Sequence, residues 1–94
     1  MKPIIGRIVH YVLTSDDVQR IRKQRESAGR GNPVDPGDEV PLIICHAWPN
    51  EFGPGIAGVN GQAMLDGNDA LWVMSAGESA IPEPGKWHWP EREA

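Results

Sequence analysis

Glycine and proline interrupt this chain so often that its helices and strands have to be short. Eleven glycines and nine prolines are distributed over 94 residues, and both residue types favour turns over the interiors of helices and strands. A chain of this length builds only one hydrophobic core, so residues 1–94 are expected to form a single domain. The sequence thus predicts a small domain of short strands and turns.

The segments between these breaks have the composition of β-strands. They are rich in β-branched, aromatic and other apolar residues and cover residues 4–13, 40–48, 56–65 and 70–77, with a further short strand around Trp87–Trp89. In the first strand, alternation predicts that Val9, Tyr11 and Leu13 share a face opposite His10. Asp66-Gly67-Asn68-Asp69 is a strong hairpin turn signal. Asn60-Gly61 is a competing one, and we expect one strand to run through it.

One polar helix is predicted after the first strand, over residues 14–29. Thr14 or Ser15 can cap its start, and Gly29 can close it. Its apolar face is thin, with little beyond Val18 and Ile21, so the helix must be mostly solvated or lie against a partner. The element order predicts an α+β fold that is mainly β, either a small twisted antiparallel sheet or a partly closed barrel, with one polar helix.

Charge and cysteine content limit the class of protein. The net charge of −4 makes nucleic acid an unlikely partner on charge alone. A single cysteine, Cys45, excludes an internal disulfide and fits a reducing compartment. No segment approaches the ~20 apolar residues of a membrane span, and the N-terminus lacks a signal-peptide core. We therefore expect a cytoplasmic protein that does not enter membranes.

No pattern of catalytic or metal-binding residues is present. Cys45 and His46 are neighbours on a strand and point to opposite faces, so Cys45 is predicted to be a buried structural residue. His10, His46 and His88 lie on three predicted strands and could converge on zinc, but they lack the short paired spacing of metal sites. The two aspartates of the D-G-N-D turn are explained by local hydrogen bonds. We expect no enzymatic activity, no metal and no other cofactor.

The W-H-W-P-E-R segment at the C-terminus has the composition of a ligand site. Trp87, His88 and Arg92 fall within six residues, and aromatic faces with a guanidinium can stack on and clamp a planar, charged ligand such as a nucleotide. Alternatively, Trp87 and Trp89 complete a small core that has few other large side chains. The sequence leaves both readings open for the tryptophans.

Three motifs resemble a family of small phage-encoded proteins. IGRIVHYVL lies near the start, LDGND lies before a tryptophan in the second half, and KWHWPER lies near the end. Together they are similar to the phage anti-Thoeris sponge proteins. The resemblance implies a non-enzymatic protein of the infected host's cytoplasm that sequesters a cyclic ADP-ribose isomer made by a bacterial immune sensor. It also implies a homodimer or larger assembly, with possible further sites for cyclic oligonucleotides.

The resemblance also suggests which residues hold the ligand. It carries over Arg92, in the terminal motif, and Asn68, in the hairpin turn. Trp72 is assigned to stacking because an aromatic residue is expected near the ligand. With Trp87 and His88 from the C-terminal segment, these residues form the predicted binding site.

Two other functions fit the sequence. The basic helix, with Arg20, Arg22, Lys23 and Arg25, could bind single-stranded nucleic acid together with the tryptophans of a small barrel. The same exposed helix could instead dock onto another protein, as in a phage accessory protein. The first alternative predicts binding that weakens steeply with salt, and the second predicts no response to small molecules.

Overall fold

The computed structural model describes residues 2–91, which form five strands and one helix. The order along the chain is β1 (Ile8–Val12), α1 (Ser15–Ser27), β2 (Glu39–Trp48), β3 (Gly58–Met64), β4 (Ala70–Glu78) and β5 (Lys86–His88). The predicted first strand, 4–13, is therefore too long. A turn precedes β1, with Gly6 at a φ of 91° that suits glycine.

The five strands close into a barrel in the order β1-β2-β3-β4-β5. Strands β1 to β4 form an antiparallel meander, and β5 pairs antiparallel with β1 and parallel with β4. The prediction of a mainly β α+β fold with one helix is confirmed, while closure is complete rather than partial. An entirely antiparallel ring is impossible with five strands, because alternating directions cannot close on an odd number.

The barrel interior is filled by apolar side chains. Val9, Tyr11 and Leu13 point inward from the β1 segment, as alternation predicts. The other large, fully buried side chains are Trp87, Ile21, Leu42, Ile44, Leu71, Val18 and Val59. The interior is thus a packed core, and any ligand site has to lie on the outside of the barrel or at its seams.

Two bulges distort the strands around Asn60 in β3. The pairing of β2 with β3 shifts between Ile44 and His46, so Cys45 is an extra residue there. Cys45 is exposed, and the prediction that it is buried is wrong because Leu42 and Ile44 point into the core, so that alternation turns Cys45 outward. Asn60 also accepts a hydrogen bond from the backbone N–H of Ser75 at 2.7 Å. Asn60-Gly61 therefore lies inside a strand, as expected, and not in a turn.

Helix α1 begins with a capping box. The Thr14 hydroxyl accepts a hydrogen bond from the Asp17 N–H at 3.0 Å, and the Asp17 carboxylate accepts one from the Thr14 N–H at 2.9 Å. This reciprocal pair satisfies two helix-end donors. Val18 and Ile21 are buried against the barrel, so the thin apolar face predicted from the sequence is the packed one.

The same helix covers an open strand edge. β5 is only three residues long and pairs with β4 at Gly77 and Glu78, which leaves the first half of β4 without a strand on that side. Arg20 donates to the Trp72 carbonyl at 3.1 Å, and Gln24 donates to the Ala70 carbonyl at 3.0 Å. Side chains of α1 thereby occupy backbone acceptors that would otherwise be free to pair with another chain.

The turn between β3 and β4 is fastened to the end of the helix. The hairpin predicted at Asp66–Asp69 is confirmed, and Arg25 of α1 forms a two-pronged ion pair with Asp69 at 2.8 and 3.1 Å. Next to it, Gly31 and Gly67 form an isolated backbone bridge. A Cβ atom on Gly67 would collide with the backbone of Arg30, so this close approach requires glycine.

Among residues 2–91, no helix combines the length and apolar character needed to cross a membrane.

Candidate functional site

The predicted site residues that the structure describes do not converge within one chain. Trp72, Asn68 and His88 line three different surface pockets that share no lining residue. Trp87 lies in the core, and Arg92 lies outside the described residues. Each of these positions therefore has to be considered with its own neighbours.

Trp72 borders an open cleft at the barrel seam. This Trp72 cleft has a volume of about 250 Å³ and is lined by Tyr11, Asp17, Arg20, Trp72, Val73 and Met74. Trp72 keeps 38% of its surface exposed and Met74 keeps 68%, because alternation along β4 turns both side chains outward. An exposed indole beside an arginine is the pairing that recognises planar, anionic ligands.

Asp17 organises the inner end of the Trp72 cleft. The Tyr11 hydroxyl donates to the buried Asp17 carboxylate at 2.6 Å, and Arg20 lies 3.7 Å from the other oxygen of that carboxylate. One terminal nitrogen of Arg20 donates to the Trp72 carbonyl. These contacts hold the guanidinium against the backbone of Trp72 while half of the Arg20 side chain stays exposed, so it can still meet a ligand in the cleft.

The phenol of Tyr11 should resist ionisation. Burial, and then the hydrogen bond to Asp17 and its negative charge, raise the pKa of Tyr11 far above the ordinary value of 10.0. Tyr11 is the only tyrosine in the chain, so ultraviolet absorbance of the phenolate reports this residue alone. We expect no phenolate signal in the folded protein at pH values where free tyrosine is ionised. The same titration in denaturant should give the ordinary tyrosine pKa of 10.0. Identical titration curves for the folded and the denatured protein would contradict the Tyr11–Asp17 contact.

Asn68 serves the hairpin rather than an open pocket. Its side-chain oxygen accepts a hydrogen bond from the Arg30 N–H at 2.7 Å, and its own N–H donates to the Arg30 carbonyl at 2.8 Å. Asn68 therefore fixes the chain after α1 to the β3–β4 turn. Its side-chain NH2 group has no partner within the described part of the chain, so a ligand could accept a hydrogen bond from that group.

Trp87 cannot stack on a ligand in this structure. Its side chain has no exposed surface, and its indole N–H donates to the Ala57 carbonyl at 3.1 Å. Trp89 packs edge-on against it with ring centroids 5.4 Å apart. Of the two readings left open by the sequence, the core reading is correct for Trp87, because a small barrel needs a large side chain to fill its centre.

His88 belongs to a cluster that joins three strands. In the His10–Glu39–His88 cluster, Nε2 of His88 lies 2.7 Å from Oε1 of Glu39, and Nδ1 of His10 lies 3.5 Å from the same oxygen. The two imidazole rings meet edge-on. His88 is buried, and its Nδ1 has no hydrogen-bond partner within the described residues. The third histidine, His46, lies elsewhere and packs on Trp48.

The cluster borders a second cavity, which we call the tail pocket. It has a volume of about 430 Å³ and lies between the His10–Glu39–His88 cluster and a wall that includes Ile81, Pro82 and Trp89. Glu91 also lines this pocket, so the cluster opens onto a space that has both nonpolar walls and a further carboxylate.

Sequence reasoning missed Arg20 and Glu39 as site residues. In the sequence, Arg20 looks like the other basic residues of the helix. Only the position of α1 against β4 shows that Arg20 is the one that reaches Trp72. Glu39 had no recognisable signal, because it reaches His10 and His88 through pairing between strands that are distant in sequence. His10, at the centre of β1, and His88, at the end of β5, face each other only because the first and last strands of the chain pair.

No protein-family model, curated protein or solved structure matches this chain. Functional inference therefore depends on the two sites themselves and on the motifs quoted above.

Proposed function

We propose that this protein is a non-enzymatic binding protein that sequesters a small cyclic nucleotide in the Trp72 cleft. The exposed indole of Trp72 and the guanidinium of Arg20, which line the same cleft, are the observation that carries this proposal. Stacking of a base on an aromatic ring contributes about 1–3 kcal/mol, and a guanidinium binds phosphate oxygens through directed hydrogen bonds. The motif resemblance favours a cyclic ADP-ribose isomer as the ligand, and sequestration would remove this immune signal during phage infection.

The dimensions of the cleft favour a site that is completed by a second copy of the chain. Pockets that enclose ligands of this size have volumes of about 300–1,000 Å³, whereas the Trp72 cleft has only about 250 Å³. Residues that face each other across the outside of β1 to β4 form a largely apolar row that ends at Trp72: Ile8, Ile43, Gln62 and Trp72. Burying this outer row against a second copy would supply the missing wall and remove exposed apolar surface from water.

The nucleic-acid alternative has less support. Arg25 is held by Asp69 and by the Asn32 carbonyl, so it is not free to bind phosphates along a strand. Arg20 is committed in part to Trp72. The protein-interaction alternative uses the exposed face of α1, and it predicts association with a partner protein without any effect of nucleotides.

The proposal is tested by calorimetric titration with cyclic ADP-ribose isomers. We expect Trp72→Ala to weaken binding by about 5- to 150-fold, the range that corresponds to the loss of one stacking contact. Trp48→Ala is the matched control, because Trp48 is exposed to the same extent, at 40%, and packs on His46 away from the cleft. Ligand recovered after denaturing the protein should be chemically unchanged.

Two outcomes would contradict the proposal. If the Trp72→Ala and Trp48→Ala variants bind the ligand with equal affinity, the ligand does not bind in the Trp72 cleft. Recovery of a hydrolysed product would show an enzyme rather than a sequestering protein. Association of the chain that is unaffected by any nucleotide would instead favour the protein-interaction alternative.

A further inference from the structure

We propose that His10, Glu39 and His88 form a binding site for a divalent transition-metal ion, with zinc as the preferred ion. This inference is independent of the proposed nucleotide function, because it concerns different residues on a different side of the barrel. Two imidazole nitrogens and one carboxylate oxygen are a frequent ligand set for zinc and leave a fourth position open.

The distances within the cluster fit a coordination sphere. One ligand atom from each of the three residues lies within 4.8 Å of the other two. Zinc binds nitrogen and oxygen at about 2.0–2.2 Å in tetrahedral geometry, which places neighbouring ligand atoms about 3.3–3.5 Å apart. The His10–Glu39 separation is already 3.5 Å, and the His88–Glu39 separation of 2.7 Å needs to widen by less than an ångström.

The barrel holds these residues in place while allowing that small adjustment. His10 and His88 are direct partners in the pairing of β1 with β5, and Glu39 lies two residues from the β2 partner of His10. All three side chains therefore project from neighbouring strands on one face. The His88 side chain is almost fully buried and fixed, whereas those of His10 and Glu39 are 40% and 44% exposed and can move toward an ion.

The proton balance also permits metal binding. An imidazole nitrogen coordinates a metal only through its free electron pair, so Nε2 of His88 must carry no proton in the complex. Nδ1 of His88 has no partner within residues 2–91 that would fix the tautomer. Without metal, the tautomer with the proton on Nε2 donates a hydrogen bond to Glu39. With metal bound, the proton would reside on Nδ1 instead. Nε2 and the Glu39 carboxylate would then both coordinate the ion.

The location of the site suggests what the ion does. β5 has only three residues, yet it closes the barrel by pairing with β1 and β4. An ion held by β1, β2 and β5 would strengthen that closure. The three residues line the tail pocket together with Glu91, so a fourth ligand can approach from there as water, an oxygen of a small ligand or the Glu91 carboxylate.

The test is a zinc titration of the full chain carrying no histidine tag, after dialysis against a chelator. Calorimetry should give one Zn²⁺ per chain in the micromolar range or tighter. Zinc at 100 times Kd should raise the melting temperature by at least about 10 °C, since a bound ion stabilises only the folded state. His10→Ala and Glu39→Gln should each weaken binding at least tenfold.

His46→Ala is the matched control, because it removes a histidine that is not part of the cluster. Its zinc affinity should equal that of the wild type. Melting temperatures without metal show whether the His10→Ala and Glu39→Gln variants fold. Both are expected to fold, because the two side chains are partly exposed. The proposal is overturned if the wild type does not bind zinc, or if His46→Ala weakens binding as much as His10→Ala does.

Discussion

Replacing Trp87 with alanine should lower the free energy of unfolding by about 3–5 kcal/mol, the largest effect expected for any single substitution in this chain. Trp87 is the largest fully buried side chain, and its ring joins β5 to the centre of the barrel. Alanine would leave a cavity and remove the hydrogen bond to Ala57. Because small domains are only about 5–15 kcal/mol stable, this loss is a large part of the total.

Urea unfolding at fixed protein concentration measures this effect, with Trp87→Phe and Trp48→Ala as comparisons. Phenylalanine keeps most of the apolar volume, and the Ala57 carbonyl still accepts a hydrogen bond from the Glu78 N–H. We therefore expect Trp87→Phe to cost about 1–2 kcal/mol. Trp48→Ala should stay within about 0.5 kcal/mol. A Trp87→Ala protein as stable as Trp48→Ala would exclude Trp87 from the core.

Replacing Arg25 with alanine should lower the free energy of unfolding by about 2–3 kcal/mol. The Arg25 and Asp69 side chains are only 13% and 10% exposed, so removing the guanidinium leaves a carboxylate poorly solvated and unpaired. Arg25 also donates to the Asn32 carbonyl at 2.7 Å. Arg22→Ala on the exposed face of the same helix is the matched control, and it should change the unfolding free energy by less than about 0.5 kcal/mol.

This ion pair also predicts how stability depends on pH. The hydrogen bonds and charge of Arg25 hold the pKa of Asp69 below its ordinary value of 3.8. The carboxylate therefore stabilises the fold above pH 3.8, and this contribution is lost as the pH falls through the lower pKa of the folded state. Asp69→Asn should be less stable than the wild type at neutral pH, with a difference that shrinks on acidification. A difference that is constant with pH would contradict the pairing.

Local signals in the sequence were sufficient for most of the elements. The capping residue Thr14, the D-G-N-D turn and the alternation around Tyr11 each depend on near neighbours, and all three appear in the structure as expected. The inward face of β1 and the packed face of α1 were also predictable, because burial follows the period of the element.

Features that depend on pairing between distant segments were not predictable. The bulge between β2 and β3, which leaves both Cys45 and its neighbour His46 exposed, has no signature within β2 itself. Complete closure of the barrel depends on β5, whose three residues give almost no periodic signal. The same limitation applies to the sites, since Glu39 meets His88, and Arg20 meets Trp72, only after the barrel has closed.

The two proposed sites have different chemistry and lie apart on the barrel. The Trp72 cleft offers an aromatic face and a guanidinium, which suit an anionic ring system. The His10–Glu39–His88 cluster offers nitrogen and oxygen ligands, which suit a cation. Zinc binding and nucleotide binding can therefore be measured separately, and the failure of one proposal leaves the other intact.

The most direct test of ligand capture is a thermal-shift titration of the wild-type protein and Trp72→Ala. The ligands are cyclic ADP-ribose isomers, cyclic di- and trinucleotides, and a single-stranded oligonucleotide. A captured ligand at 100 times Kd adds about 2.7 kcal/mol, which corresponds to a rise of roughly 10 °C or more in a domain of this size. We predict such a rise with one cyclic nucleotide in the wild type and a much smaller one in Trp72→Ala. No shift with any cyclic nucleotide, or equal shifts in the two proteins, would contradict capture in the Trp72 cleft.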